Sequence, residues 1–529
     1  MTDLPRPLPI LTALLPLVFF ACSSDKASGS APTPPDSGQP DAGSGLESAT
    51  IRTTETPRPD FAGLEVRLVG DRIFVLEVVR DAAETSSRRL AVYARHGADG
   101  AAPLWTWAGE PNEFLSDFAV HPSGEITVAT ENRAGAASQY RLVRLDAHGA
   151  LRMRAPLPAP TTLPDGSLDG PAATVVRMQS LDFGALAKGW LRVQPRGEDV
   201  TLAYLSRAGR SDGTLDPLFH YVTIVEAMRW AGAGYDEAWS RVVDGRHYVD
   251  PVGWVYDEFD WMNAALRPVL ALDDDGTAIV GRTFSQHRCL SLARTTHEVE
   301  ESICTTKKAS PPEDVEYQPF ATTSFSSSGV RGRTNVLAPD GLSEFVVFDM
   351  AAHAGQLALA GTLVRTDAEG RRRYYSAGEG APNNLVPYDG YIGVLDRDTG
   401  AVRFETSVDQ GRADHFATVR WTNEDIVAAG ASDWDRWNGG MSIIRGADPL
   451  IALLDPERHT VTARRIPFAN DERHFHGLGV DMDTTGIVVV GPADAPMTHS
   501  GDGRNFANRT FGGLRLDVRT GAGHEPASP

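Results

Sequence analysis

The stretch that decides the fold is Phe118-Ala-Val-His-Pro-Ser-Gly124-Glu-Ile-Thr-Val-Ala-Thr130, in which two apolar runs flank a polar turn that ends in glycine. This pattern predicts a β-hairpin, because glycine accepts the backbone angles that a tight turn needs. The pattern recurs at 270–282 and 480–491, and weaker copies begin near Leu64, Val176, Phe345 and Phe416. One kind of hairpin is therefore repeated along the chain.

A second hairpin follows several of the first kind, at 140–151, 391–402, 450–459 and 514–521. Two hairpins make a four-stranded sheet. About seven such sheets would account for residues 58–522, and a radial arrangement would protect the edges of such small sheets. The sequence therefore predicts one all-β domain, a β-propeller of about seven four-stranded blades with irregular insertions.

The repeats also resemble a known family. Leu-x-Arg-Leu-Asp-x-x-Gly, together with Ala203-Tyr-Leu-Ser-Arg-Ala-Gly-Arg-Ser-Asp-Gly213-Thr-Leu-Asp-Pro217-Leu-Phe219, is similar to the delta-60 class of bacterial β-propeller repeats. This resemblance implies a propeller without a shared chemistry. Leu395-Asp396 to Thr399-Gly400 also resembles the repeat of quinoprotein propellers, but Phe404 stands where that repeat has Trp. We predict no cofactor.

Composition and charge exclude several classes of protein. With 529 residues and 41% hydrophobic content, the chain can bury a large core. Its formal net charge of -20 repels a phosphate backbone, which excludes nucleic acid as a partner. The sequence has no metalloprotease, Walker or nucleophile-elbow motif. Carboxylates around a propeller funnel would leave no such local signature.

The N-terminus predicts export. An apolar run from Ile10 to Ala21 is too short to span a bilayer and is typical of a signal peptide. The run ends Phe19-Phe20-Ala21-Cys22, which resembles a lipobox, so residues 1–22 are predicted to be a lipoprotein signal peptide with Cys22 as the lipidated residue. Ordinary secretory cleavage is the alternative.

Low-complexity segments flank the predicted propeller. Residues 23–57 are rich in Ser, Gly and Pro and predict a disordered tether, and 523–529 predicts a disordered tail. By resemblance to enteric sorting rules, Ser23 after Cys22 favours the outer membrane. We expect a monomer in the bacterial cell envelope, held to the membrane through its lipid.

The segment 219–261 contains ten aromatic residues, whereas the whole chain is 8% aromatic. We interpret it as an insertion whose rings and carboxylates could form a ligand-binding rim. Packing of the rings onto the propeller is the competing interpretation. The candidate binding residues are Trp230, Trp239, Trp254, Tyr256, Asp257, Asp260 and Trp261.

Three histidines form a candidate metal site. Alignment of the repeats superposes His415 on His476 at the entry to an innermost strand, and His474 lies on the same strand face as His476. Ordinary polar residues at a strand entry are the alternative. Asp481 and Asp483 lie in a repeated turn, and we expect them to close that turn rather than bind calcium.

Cys289 and Cys304 remain as an even pair in an oxidising compartment. Two strands joined at Thr296-His297 would place the two cysteines opposite each other, which predicts a disulfide. Buried free thiols are the alternative.

Three function classes fit the sequence. The first is a membrane-anchored binding or scaffold lipoprotein, whose partner would be an envelope protein or a glycan. The second is a carbohydrate-binding or carbohydrate-active propeller, and the third is a purely structural envelope component.

Overall fold

The computed structural model describes residues 50–53, 61–80, 86–95, 102–132, 139–157, 174–177, 189–209, 220–243, 247–248, 267–283, 320–337, 342–365, 389–410, 414–422, 425–432, 448–466, 474–475, 478–484, 486–494 and 513–519. All regular elements within these ranges are β-strands. Among them there is no helix long and apolar enough to span a membrane.

The described strands form seven antiparallel sheets. Five sheets have four strands each: β2 (Phe61–Val69), β3 (Arg72–Arg80), β4 (Ser86–Ala94) and β5 (Trp105–Ala108); β6 (Glu113–Val120), β7 (Ile126–Asn132), β8 (Gln139–Leu145) and β9 (Leu151–Pro156); β16 (Val269–Leu272), β17 (Ala278–Thr283), β18 (Phe320–Phe325) and β19 (Arg331–Leu337); β20 (Leu342–His353), β21 (Gln356–Arg365), β22 (Asp389–Asp396) and β23 (Val402–Val408); β24 (His415–Trp421), β25 (Ile426–Ser432), β26 (Asp448–Asp455) and β27 (Thr460–Arg465).

Two sheets are larger. One has six strands: β10 (Thr174–Arg177), β11 (Arg192–Arg196), β12 (Asp199–Gly209), β13 (His220–Trp230), β14 (Tyr235–Val242) and β15 (His247–Tyr248). The other has five strands and combines both ends of the described chain: β1 (Thr50–Thr53), β28 (His474–Phe475), β29 (Gly479–Asp483), β30 (Gly486–Asp494) and β31 (Gly513–Arg519).

The innermost strands of the seven sheets contact one another in a closed ring, in the order β2, β6, β11, β16, β20, β24 and β29, after which β29 contacts β2. The prediction of an all-β propeller is confirmed. The prediction of about seven four-stranded blades is corrected to six blades whose described strands are consecutive in sequence. The remaining sheet closes the ring with β1, which pairs with β31 from Thr50↔Arg519 to Thr53↔Leu516.

This closure also corrects the predicted tether. Residues 23–57 were expected to be disordered throughout, but Thr50–Thr53 form a strand. The physical reason is that β31 would otherwise present an unpaired edge, which β1 covers with a ladder of backbone hydrogen bonds. The predicted second hairpin at 514–521 is therefore completed by β1 and not by a strand that follows β31.

The repeated hairpins are confirmed where the structure describes them. Gly124, Gly276 and Gly486 each lie in the turn between the first two strands of a sheet and have positive φ. The turns between third and fourth strands follow the same rule at Gly149 and Gly400. The core lies between neighbouring sheets, where apolar clusters combine residues from two adjacent blades.

Candidate functional site

The axis of the propeller is occupied by charged side chains from the inner strands. Carboxylates and guanidinium groups alternate there, and their side chains are between 1% and 14% exposed. The residues with defined pairings are Glu65 and Arg67 on β2, Asp117 on β6, Arg192 on β11, Asp349 on β20 and Arg420 on β24. We call this set the axial charge network.

Asp349 joins two arginines across this network. Its Oδ2 atom lies 3.1 Å from Nη1 of Arg420, and its Oδ1 atom lies 3.7 Å from Nη2 of Arg192. Arg192 also lies 3.3 Å from Asp117, and Arg420 pairs with Glu65. A chain of ion pairs therefore runs from β6 to β2, and its Arg192–Asp349 and Arg420–Glu65 links join strands that are not neighbours in the ring.

Three buried aspartates also join neighbouring blades through the backbone. Asp117 accepts a hydrogen bond from the backbone N–H of Val193 (3.1 Å), and Asp349 accepts one from Val419 (3.2 Å). Asp481 on β29 accepts one from Leu68 (2.7 Å). In each case the donor lies on the next inner strand of the ring. These side chains therefore replace the ladder hydrogen bonds that adjacent inner strands do not make.

The carboxylates are aimed at the axis by β-bulges. The strand register shifts between Gly63 and Glu65, between Leu115 and Asp117, and between Val347 and Asp349. A bulge inserts one extra residue and re-aims the side chain that follows. The acidic residue directly after each bulge thereby joins the axial charge network or its immediate surroundings.

The charges of the network are strongly coupled. The pKa of Arg420 is raised, because Glu65 and Asp349 outweigh the burial that would lower it. The pKa of Asp481 is raised by burial, although Arg67 opposes this shift. Because Asp117, Asp349 and Glu65 each contact an arginine, this arrangement suits rigid charge pairing better than acid–base catalysis.

Sequence reasoning missed this network. It assigned Asp481 to a turn, whereas the structure places this carboxylate in a buried contact between β29 and β2. The expectation was right for Asp483, whose Oδ1 accepts the Gly486 backbone N–H at 3.1 Å within the turn. The available signal was an acidic residue recurring inside otherwise apolar inner strands, at Asp117, Asp349 and Asp481.

The predicted histidine site is only partly described. His415 begins β24 and is buried, with its ring 6.0 Å from that of Phe348, and burial lowers its pKa to about 4. His474 begins β28, and His476 lies outside the described residues. Within the described ranges, no group of three or more His, Cys, Asp or Glu residues could hold a metal ion.

The aromatic segment 219–261 requires a correction in its first half. Residues 220–242 are the blade strands β13 and β14, and not an insertion, because β13 pairs along its length with β12. Trp239 is buried, stacks on Phe325 and donates to the Ser327 carbonyl (3.1 Å). It is therefore core and unavailable to a ligand.

Trp230 also packs between blades. Its ring lies 5.0 Å from that of Tyr235, and the guanidinium of Arg144 sits 4.9 Å from its centre. Trp254, Tyr256, Asp257, Asp260 and Trp261 lie outside the described residues. For these five residues the binding role stays a prediction.

Arg144 organises a buried polar cluster between the sheets of β6–β9 and β10–β15. It donates to Glu125 (2.8 Å) and to the Tyr235 hydroxyl (2.8 Å), and it pairs with Glu198. The pKa of Glu198 is lowered, because hydrogen bonds from Ser123 and Arg144 outweigh the opposing effect of burial. Arg144 is the arginine of the Leu-x-Arg-Leu-Asp repeat, so this motif supplies an inter-blade contact.

The two ends of the propeller differ. At one end lie the connections from the innermost strand of a sheet to the next strand and from the third strand to the fourth, which are short turns except for 95–104 between β4 and β5. All glycines with positive φ among the described residues lie in these turns: Gly70, Gly124, Gly149, Gly197, Gly232, Gly276, Gly329, Gly355, Gly400 and Gly486. We call this the tight-turn end.

The opposite end receives the connections between second and third strands and between successive sheets. We call it the long-connection end. The longest of these connections are 284–319, between β17 and β18, and 366–388, between β21 and β22. Trp254 and Trp261 fall in the connection from β15 to β16, and His476 falls in that from β28 to β29. Trp254, Trp261 and His476 therefore belong to segments that leave the strands at the long-connection end, whereas Trp230 and Trp239 lie in the strands β13 and β14.

The predicted covalent sites lie outside the described residues. Cys22 precedes β1, and Cys289 and Cys304 both fall in the connection 284–319. The lipid anchor and the disulfide stay predictions.

Comparison with known proteins gives only distant structural likenesses. No protein-family model matches the chain, and no curated protein matches it. Among solved structures, the chain is similar to polysaccharide lyase Uly1, with 10% identity and a TM-score of 0.41, over 86% of this chain and 90% of that one. It is also similar to a quinohemoprotein alcohol dehydrogenase from Pseudomonas putida HK5, with 9% identity and a TM-score of 0.36, over 88% and 67% of the two chains. A Synechocystis apocarotenoid oxygenase mutant gives 10% identity and a TM-score of 0.33, over 84% and 86%. Likeness at this level says nothing about activity.

Proposed function

We propose that this chain is a membrane-anchored extracytoplasmic binding or scaffold lipoprotein that presents a partner-binding surface at its long-connection end. The lipid on Cys22 would hold it in the cell envelope, at the outer membrane. The observation that carries the proposal is that the axis and the ends of the propeller differ in structure. Arginines pair with the axial carboxylates Glu65, Asp117 and Asp349, while the long connections leave at one end.

Catalysis by axial carboxylates is disfavoured by this pairing. A glycosidase-type mechanism needs one carboxyl group that keeps a proton and another that is free to act as base or nucleophile. In the axial charge network, Asp349 instead contacts two guanidinium groups and the Val419 backbone N–H. A carboxylate held by these contacts stabilises the fold by accepting hydrogen bonds and pairing with cations.

Photo-crosslinking in intact cells tests the proposal. Gln139 is an exposed residue at the long-connection end of β8, and Ser328 is exposed in the turn between β18 and β19 at the tight-turn end. A photoreactive residue at position 139 should give a discrete protein or glycan adduct that the matched position 328 does not give. The absence of any discrete adduct at the long-connection end, from position 139 and from further positions there, would contradict the proposal.

A carbohydrate ligand is the second candidate. Trp230 and Trp239 pack within and between blades, so packing accounts for them. Trp254, Tyr256 and Trp261 have no such assigned role and favour a carbohydrate ligand. Glycan-array binding that is lost in Trp254→Ala and Trp261→Ala, with an unchanged melting temperature, would support this candidate. A large fall in melting temperature would favour packing instead.

We further propose that Cys289 and Cys304 form a disulfide within the connection 284–319. A bridge closing a loop of roughly 15 residues would stabilise this connection by about 3 kcal/mol in the chain-entropy model. Non-reducing peptide mapping of exported protein should recover the two cysteines in one linked peptide. Recovery as two separately alkylated peptides would contradict the bridge.

A further inference from the structure

The structure fixes where the N-terminal segment enters the propeller. Thr50, the first residue of β1, pairs with Arg519, the last residue of β31. The neighbouring strand β30 begins at Gly486, directly after the turn that follows β29. Thr50 therefore lies at the tight-turn end, and the segment between Cys22 and Thr50 joins the domain there.

The tight-turn end also exposes large apolar side chains. Val69, Leu104, Leu151, Val330 and Val402 are between 42% and 65% exposed. Each lies at the start or end of a strand at the tight-turn end. Val69 ends β2, Leu104 precedes β5, Leu151 begins β9, Val330 precedes β19 and Val402 follows the turn at Gly400.

These residues come from four different sheets, so they are distributed around the end of the propeller and do not form one compact patch. Several of the neighbouring carboxylates are held by arginines. Arg397 contacts Asp273, Asp275 and Asp398, and Arg403 contacts Asp396. A rim of separate aliphatic side chains fits a flat lipid surface, because such a surface can contact all of them at once without a pocket to receive each one.

We propose that the tight-turn end is the face that rests on the lipid bilayer, with Val69, Leu104, Leu151, Val330 and Val402 touching the membrane interface. This inference rests on the proposed anchoring through Cys22. If the segment between Cys22 and Thr50 behaves as a flexible chain, it limits the distance between the lipid and the domain to roughly 30 Å but does not fix the orientation of the domain. Tethering raises the local concentration of the bilayer, so weak apolar contacts suffice to orient the domain. The long-connection end then points away from the membrane, toward its partners.

The test measures orientation on vesicles of phosphatidylethanolamine and phosphatidylglycerol that carry a headgroup-linked quencher. The acylated full chain bears one fluorophore, coupled to p-azidophenylalanine at Ser328 or, as the matched control, at Gln139. Strand β8 is about 20 Å long, and an interfacial group sits within about 5–10 Å of the headgroup boundary. We therefore expect quenching at Ser328 to exceed that at Gln139 by at least about twofold.

The apolar rim is tested by the triple variant Leu151→Asp, Val330→Asp and Val402→Asp. Its residues are exposed, so the melting temperature should stay unchanged, while the difference between the two fluorophore positions should disappear. Equal quenching at both positions in the unsubstituted chain, or stronger quenching at Gln139, would overturn the proposed orientation.

Vesicle flotation separates this inference from the anchoring on which it rests. If the wild-type chain floats no better than Cys22→Ala, then the anchoring through Cys22 fails. Orientation is then measured on a chain that starts at residue 23 and is coupled through Ser23→Cys to a maleimide lipid. On that chain the same twofold difference supports the membrane-facing surface, and equal quenching refutes it.

Discussion

Two glycines show how single residues make the inner bulges possible. Gly430 on β25 faces the bulge of β24, and a Cβ built on it would lie 1.8 Å from the carbonyl oxygen of His415. Gly361 on β21 stands in the same relation to β20, with a Cβ 2.0 Å from the carbonyl oxygen of Val346. Glycine at these two positions of the second strands is therefore required by the close approach of the bulged strand.

Gly430→Ala should lower the free energy of unfolding by about 1–3 kcal/mol, because a methyl group at this position collides with backbone and not with a movable side chain. Chemical denaturation measures the effect. Gly234→Ala is the matched control, since nothing lies within 4 Å of that position, and it should change stability by less than about 0.5 kcal/mol. Equal effects of the two substitutions would argue against the bulge explanation.

The buried His415 should make the free energy of unfolding fall at acidic pH. Burial lowers its pKa to about 4 in the folded protein, from 6.5. Between these values the unfolded chain binds a proton that the folded chain does not, so stability falls as the pH drops from 6.5 to 4. The loss attributable to this group is at most about 3 kcal/mol.

Denaturation curves of His415→Gln between pH 4 and 7.5 measure this contribution. Relative to its own stability at pH 7.5, the variant should lose less on acidification than the wild-type protein. Parallel losses in both proteins would show that His415 does not titrate as its burial implies.

At the scale of elements, the inner strands are held together by charged side chains. Asp349→Asn should lower the free energy of unfolding by about 3–5 kcal/mol, because it removes the charge that the buried Arg192 and Arg420 share and leaves them with Asp117 and Glu65 as their ion-pair partners. Asp71→Asn is the control, since Asp71 is 91% exposed and lies 4.0 Å from Arg72, and it should have no measurable effect. A neutral outcome for Asp349→Asn would mean that apolar packing alone orders the ring.

The strands themselves were largely predictable. The hairpins around Gly124 and Gly276 follow from alternation and turn chemistry, which act over neighbouring residues. The pairing of β1 with β31 was not predictable, because it joins residues more than 460 positions apart and Thr50–Thr53 lacks a hairpin partner in sequence. The interpretation of the aromatic segment as an insertion was wrong for a similar reason. Trp239 packs on Phe325 of the neighbouring blade, and the local sequence pattern does not reveal which blade lies beside it.

The candidate site was less predictable than the fold. Asp117 and Asp349 are isolated in sequence, and their meeting with Arg192 depends on the closure of the ring. Arg144 belongs to a visible repeat, but its partners Glu198 and Tyr235 come from the next blade. Sequence periodicity places a residue on a strand, whereas its role here is set by the blade beside it.

At the scale of the whole molecule, the proposed function gives the two ends of the propeller different roles, one beside the proposed anchor and the other carrying the proposed binding surface. The N-terminal segment meets the tight-turn end at Thr50, and the long connections leave at the opposite end. The closed ring of inner strands lies between these two ends. The proposed function therefore depends first on attachment to the membrane.

Membrane fractionation of cells that express the wild-type chain or Cys22→Ala tests this claim most directly. Acylation supplies the anchor, so the wild-type protein should sediment with membranes, float with lipid and carry an acylated cysteine at its mature N-terminus. The Cys22→Ala protein should be released in soluble form or keep its unprocessed signal peptide. Unchanged membrane partition of a processed Cys22→Ala protein would contradict the account.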